Sequence, residues 1–96
     1  MEFTFRHSEE NAKGLIEMLK GEETFARMTY SRIDDNNIII DHTGALPSAK
    51  GTGAGKRIVM HAVEWAREHG QKIMPLCPFA KAVIEKNPET HDILRK

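Results

Sequence analysis

Between His42 and Ile58 the chain reads HTGALPSAKGTGAGKRI, and no other segment limits the fold as strongly. Four of the seven glycines, one proline and three lysine or arginine residues fall inside it. Ahead of it stands Ile38–Ile39–Ile40, a β-branched run that reads as a strand buried on both faces. Behind it the pattern turns helical. Ile58, Val59, Ala62, Val63, Trp65 and Ala66 share one arc of a 3.6-residue wheel, with Lys56, Arg57, Glu64, Arg67 and Glu68 opposite. Gly51, Gly53 and Gly55 therefore open a helix whose first N–H groups lack internal acceptors and carry partial positive charge. Such a helix start suits an anion, and Lys50, Lys56 and Arg57 add point charges around it.

The flanking segments supply the rest of the frame. EFTFRH alternates Phe3 and Phe5 with polar residues, which is strand period. Gly14 and the Lys20–Gly21–Glu22 turn favour a short strand entering a hairpin, followed by an extended strand from Thr24 to Ile33. Asp34–Asp35–Asn36–Asn37 reads as the next turn. Gly70 stops the amphipathic helix, KIMPLC follows as a strand, and a second helix runs from Pro78 towards Lys86, halted by Asn87–Pro88. ETHDILRK adds one more helical turn. A strand–helix–strand crossover makes its two strands parallel, so His42 and Cys77 are expected at the tips of neighbouring strands on one sheet edge. The fold class is mixed α/β (α+β): N-terminal antiparallel strands, then strand, glycine loop, helix, strand, helix.

Ninety-six residues predict one domain with one core. Fourteen acidic residues balance fourteen basic ones and only six are aromatic, which argues against a nucleic-acid partner. Cys77 is the only cysteine, so no internal disulfide forms and a reducing, cytoplasmic setting is expected. The N-terminus lacks the charged and apolar regions of a signal peptide, and no apolar run is long enough to span a bilayer.

Two familiar phosphate loops fail on spacing. A Walker loop needs four residues between its glycines and Ser or Thr after the lysine; here three residues separate Gly51 from Gly55, and Arg57 follows Lys56. A dinucleotide fingerprint would need glycine at Lys56. ALPSAKGTGAG, Ala45 to Gly55, instead resembles the V-x-P-x-x-R-G-x-G-x-G/A signature of the GCN5-related N-acetyltransferases, with Pro47, Gly51, Gly53 and Gly55 in place. HTG before it and PLCPFAKAVIEKNPE after it resemble the very small acetyltransferase-like branch of that superfamily, and the likeness covers about residues 22–94.

The resemblance implies acetyl-CoA as co-substrate and no metal. It places the pyrophosphate on the loop and the pantetheine arm between two splayed strands, with Thr43, Gly44, Ala45, Lys50, Gly51, Thr52, Gly53, Ala54, Gly55 and Lys56 as the binding residues. Pro75, having no N–H, is expected where the second strand is unpaired or bulged. The chain departs from the pattern at Lys50, where relatives carry arginine, at Gly44 and Ala45 in place of Glu and Val, and at Val83, where relatives often place tyrosine.

Cys77 is the first catalytic candidate. Pro78 suits the first helical position, which makes Cys77 the N-cap, and a helix start favours the thiolate. It could accept the acetyl group transiently or protonate the leaving thiolate, with His42 as an assisting group; as alternatives, Cys77 is apolar filler and His42 a turn anchor. His61, Glu64 and Glu68 are assigned to the solvent arc of the helix, with no second cluster to complete a metal site. The expected activity is acetyl transfer to an amine: a protein side chain, a polyamine or a small amine, with a homodimer as one way to complete the acceptor site. The rival from another class is a non-enzymatic acetyl-CoA or CoA-binding module acting through a protein partner.

Overall fold

The computed structural model describes residues 3–49 and 51–94. Four strands form an antiparallel meander: β1 (Thr4–Glu10), β2 (Lys13–Lys20), β3 (Glu23–Asp34) and β4 (Asn37–Ala45). A 3₁₀ turn at Pro47–Ala49 leads to α1 (Ala54–Glu68), then β5 (Lys72–Pro75), α2 (Pro78–Glu85) and a closing 3₁₀ segment at Pro88–Ile93. The sheet order is β1-β2-β3-β4-β5, and β5 runs parallel to β4, giving the mixed sheet expected of a right-handed crossover.

Local chemistry sets each reversal. Asp34 Oδ1 accepts from the Asn36 N–H at 2.8 Å and from Asn37 Nδ2 at 2.9 Å, closing the β3–β4 turn. The β1–β2 hairpin turns on Asn11 and Ala12, whose φ values of 53° and 65° are those of a two-residue type I′ loop. Asparagine tolerates that region, but alanine is strained there.

One face of the sheet is buried. Ile58, Val59, Ala62, Val63 and Ala66 of α1 pack at zero exposure in one cluster with Ile16, Met28 and Ile40. Trp65, assigned to the same arc, stands at its rim beside Tyr30 and His69, at ring-centroid distances of 5.7 and 5.3 Å. The other face carries polar rows, such as Arg6–Glu17–Arg27 with N–O separations of 3.9 and 3.5 Å. Ile39 points that way and is only half-buried, so β4 is not buried on both faces as expected.

Three further expectations are corrected. β5 ends at Pro75 rather than at Cys77, because Pro75 brings no N–H to the ladder and the N–H groups of Leu76 and Cys77 both turn to the Ile40 carbonyl. His42 is no strand tip: β4 continues to Ala45. His61 is half-buried, its ring stacked on Phe5 at 3.9 Å and 4° rather than facing solvent.

At the end of the sheet remote from the glycine loop, Tyr30 lies fully buried with its ring flat over Gly14. A Cβ at position 14 would come within 2.0 Å of Tyr30 Cζ, which explains a glycine inside a strand. The Tyr30 hydroxyl donates to Glu9 Oε1 at 2.7 Å, so His7 Nε2, 2.6 Å from the same oxygen, serves as the donor to it. Arg32 grips Glu9 with two bonds, 2.7 and 2.9 Å, and reaches Gln71 Oε1 at 3.0 Å. These contacts pin the edge strand β1 to β3 and to the segment after α1.

Two tests follow from this geometry. Ala12→Gly relieves the positive φ and should raise stability by about 1 kcal/mol, seen as a higher urea midpoint at unchanged slope. Glu9 is held down at about 2 from an ordinary 4.5, first by Arg32 and then by the Tyr30 hydroxyl. The stability it contributes is complete above about pH 4.5 and is lost as pH falls towards 2. Arg32→Gln should flatten that acid limb in urea melts taken across the range.

Candidate functional site

The ladder between β4 and β5 stops at Ile40↔Pro75. The N–H groups of Leu76 and Cys77 both turn to the Ile40 carbonyl, each at 3.2 Å. From Asp41 to Ala45, β4 then pairs with β3 alone, and its other edge faces a cleft.

The first turn of α1 closes one end of that cleft. Gly53 is its N-cap with φ 71°, and no side chain caps the helix. The N–H groups of Gly55 and Lys56 have no acceptor among the described residues. On the opposite wall the Phe79 ring of α2 occupies the space a Cβ on Gly55 would need, 2.7 Å from Cζ. Beside this contact lies a cavity of about 440 Å³, lined by Thr43, Ala45, Leu46, Ala49, Phe79 and the loop from Gly51.

A one-residue bulge decides which β4 side chains face the cleft. Tyr30 pairs with Ile40 and Thr29 with His42, so Asp41 is the extra residue and the inward and outward positions exchange beyond it. Thr43 thereby joins Ile40 on the buried face. His42 moves to the opposite, exposed face, above Gly44, where a Cβ would meet His42 Nε2 at 3.3 Å. His42 is thus placed on the opposite face of β4 from Thr43, which adjoins Cys77.

Thr43 is 7% exposed, and its Oγ1 is the one buried side-chain polar atom without a hydrogen bond among the described residues. Cys77, 5% exposed, caps α2 with Pro78 in the first helical position. Burial works against its thiolate, but the N–H groups of Ala80 and Phe79, with the hydroxyl and N–H of Thr43, outweigh it and hold the thiol below its ordinary value. The Thr43 hydroxyl, which has no other partner among the described residues, and the Cys77 thiol thus lie side by side, Thr43 on the cavity wall and Cys77 buried behind it.

Of the residues singled out in the sequence, Thr43, Ala45, Gly51, Gly53, Ala54, Gly55 and Lys56 line the cavity. Thr52 lines a neighbouring groove instead, its hydroxyl bonded to the Ala49 carbonyl at 2.6 Å. Gly44 belongs to the outward face of β4, and Lys50 lies outside the described residues. Leu46, Ala49 and Phe79 complete the wall without having been expected. The wall has polar N–H donors at the loop, an apolar middle, and Thr43 at the inner end; Cys77 is buried next to Thr43 and does not itself line the cavity. That gradient fits a ligand with an anionic section and an uncharged arm.

A sequence profile of GCN5-related N-acetyl-transferases matches residues 15–93. A GCN5-like protein from Staphylococcus aureus, solved by NMR, is 34% identical and superposes with a TM-score of 0.67 over 94% of this chain and 87% of its own. An acetyltransferase from Bacillus subtilis in complex with CoA shares the fold at 14% identity, with a TM-score of 0.68 over 88% of this chain and 74% of its own. The ribosomal-protein-alanine N-acetyltransferase of Brucella melitensis biovar Abortus matches at 13% identity and a TM-score of 0.65, over 81% of this chain and 62% of that enzyme. No curated protein sequence matches the chain.

Gly53→Val tests the loop. A branched residue forced to φ 71° should cost about 1–2 kcal/mol in a urea melt. It should also abolish pyrophosphate binding in calorimetry, while a surface control such as Glu68→Gln retains it.

Proposed function

The chain belongs to the GCN5-related N-acetyltransferase family, and we propose that it binds acetyl-CoA along the β4–β5 cleft and passes the acetyl group to an amine. The observation that carries this is the convergence, in one cavity, of an uncapped helix start with the free edge of β4. N–H groups of the Gly51–Lys56 loop receive the pyrophosphate, with the Lys56 charge beside them. Backbone groups of Thr43, Gly44 and Ala45 hold the pantetheine arm as an added strand. The same reading takes the chain as one cytoplasmic acetyltransferase domain; among the described residues no helix is long and apolar enough to cross a membrane.

Cys77 is the proposed acetyl carrier. Its thiolate attacks the thioester carbonyl, the bond from acetyl carbon to coenzyme sulfur breaks, and the coenzyme thiolate leaves to take a proton from solvent. A deprotonated amine then attacks the acetyl-cysteine, expelling the Cys77 thiolate and losing its extra proton to water as the amide forms. Thr43, with its hydroxyl unspent, donates to the Cys77 sulfur when that sulfur is charged. His42, on the other face of the sheet, takes no part.

Acetyl-CoA at about 100 times its dissociation constant should stabilise the protein by about 2.7 kcal/mol, an upward shift in Tm on the order of 10 °C. Intact-mass analysis should show an acetyl adduct that disappears in Cys77→Ala, while the thermal shift persists. Iodoacetamide should alkylate Cys77 with a pH midpoint below that of a free cysteine, and acetyl-CoA should protect it. An unmoved melting curve at millimolar acetyl-CoA would overturn the coenzyme site. Full turnover by Cys77→Ala would remove the carrier step alone.

A further inference from the structure

The sheet ends at β1, which has β2 on one side and, among the described residues, no strand on the other. Alternate N–H and C=O groups along Thr4–Glu10 therefore point outward with no ladder to receive them. Edge strands are commonly made unfit for pairing by a proline, a bulge or extreme shortness. β1 has none of these: it is seven residues long, contains no proline, and runs in unbroken register with β2 from Thr4↔Leu19 to Glu10↔Lys13. What it carries instead is charge in a fixed order, with Arg6 towards its start and Glu9 and Glu10 at its end.

That order is self-complementary when two copies of the strand meet antiparallel. Residues opposite each other in a ladder share a face, so a two-fold axis normal to the sheet must pass through one residue of β1. The centres that keep most of the strand in the overlap are Arg6, His7 and Ser8. An axis at Arg6 sets the two Arg6 side chains against each other. One at His7 puts Arg6 opposite Ser8, and the carboxylates opposite Phe5 and Thr4, so no unlike charges meet. At Ser8, each Arg6 stands opposite the partner's Glu10 on the solvent face of the sheet. Each His7 stands opposite the partner's Glu9 on the face towards α1, where its ring meets Trp65. Arg6 is available for this: its side chain is 67% exposed and its contact with Glu17 is a long one, 3.9 Å.

We infer that β1 is a self-association edge: two copies of this chain join β1 to β1 about a two-fold axis at Ser8, making one continuous sheet from two five-stranded ones. The overlap runs only from Arg6 to Glu10, which puts the contact at the small end of specific interfaces, so the dimer is weak and forms as concentration rises. β4 and β5 lie at the opposite edge of each sheet, and both clefts stay open in the pair. Association and coenzyme binding are therefore independent, and either stands without the other.

Sedimentation velocity on the full chain, from micromolar to millimolar concentration, tests it. Wild type should pass from monomer to dimer, less readily as salt is raised. Arg6→Glu and Glu10→Arg should each weaken the dimer about tenfold or more, by setting like charges opposite each other. Mixed in equal amounts, the two variants should associate with about wild-type affinity, because every opposed pair is then Glu with Arg. Ser8→Cys, in a Cys77→Ala background, should cross-link on mild oxidation, since residues facing each other across the axis have the Cα spacing of a disulfide. Thr4→Cys, outside the overlap, should not. A wild type that is monomeric throughout overturns the pairing. So does a dimer that the charge variants leave intact, a mixture of folded variants that stays monomeric, or a Thr4→Cys chain that cross-links as readily as Ser8→Cys.

Discussion

A single carbonyl, that of Ile40, ends the parallel ladder by accepting two consecutive N–H groups, and the candidate site is built on that ending. Pro75 forces it, because the residue paired with Ile40 has no N–H to continue the pattern. Pro78 then starts α2 within three residues, already set at the helical φ. The chain between the two prolines has no room to re-pair with β4. Cys77 is left at a helix N-terminus beside Thr43, and the edge of β4 beyond Ile40 stays open to a ligand.

The glycine loop, α1, the parallel crossover and Cys77 as an N-cap were legible because each is a local pattern: three spaced glycines, a 3.6 period, a proline after a cysteine. The outward turn of His42 was not. Strand parity counted from Ile38 and Ile40 puts His42 inward, and one extra residue at Asp41 reverses it. No residue type marks that bulge in advance, since it arises from how β3 and β4 fit. The Asn11–Ala12 hairpin escaped notice for a related reason: alanine at φ 65° is a choice that turn statistics disfavour. Phe79 over Gly55 joins residues from different helices, and neither announces the other.

The two ends of the sheet are built on opposite terms. Around Tyr30 each hydrogen-bonding group meets a partner: the hydroxyl serves His7 and Glu9, Glu9 holds Arg32, and Arg32 holds Gln71. Burial, and then Glu9, push the Tyr30 hydroxyl well above its ordinary range, so it remains protonated. Around the glycine loop the reverse holds. Among the described residues, the first N–H groups of α1 and the outer edge of β4 beyond Ile40 have no partner there. Fully satisfied polar networks rigidify a fold, so the two ends of the sheet differ in how firmly their polar groups are fixed.

The sheet order, identical to the order of strands along the chain, bears on how the molecule assembles. Each of the first four strands meets its neighbour through a turn of two residues, so the meander zips up from contacts close in sequence. β5 reaches β4 only after the 3₁₀ turn, the glycine loop and all of α1 have been laid down, and it pairs over four residues. Loop-closure entropy makes this the slowest contact to form, and its shortness makes it the cheapest to lose. The parallel seam is thus the part of the sheet that depends most on the rest being in place, and beyond Ile40 the outer edge of β4 keeps hydrogen-bonding groups that β5 never meets.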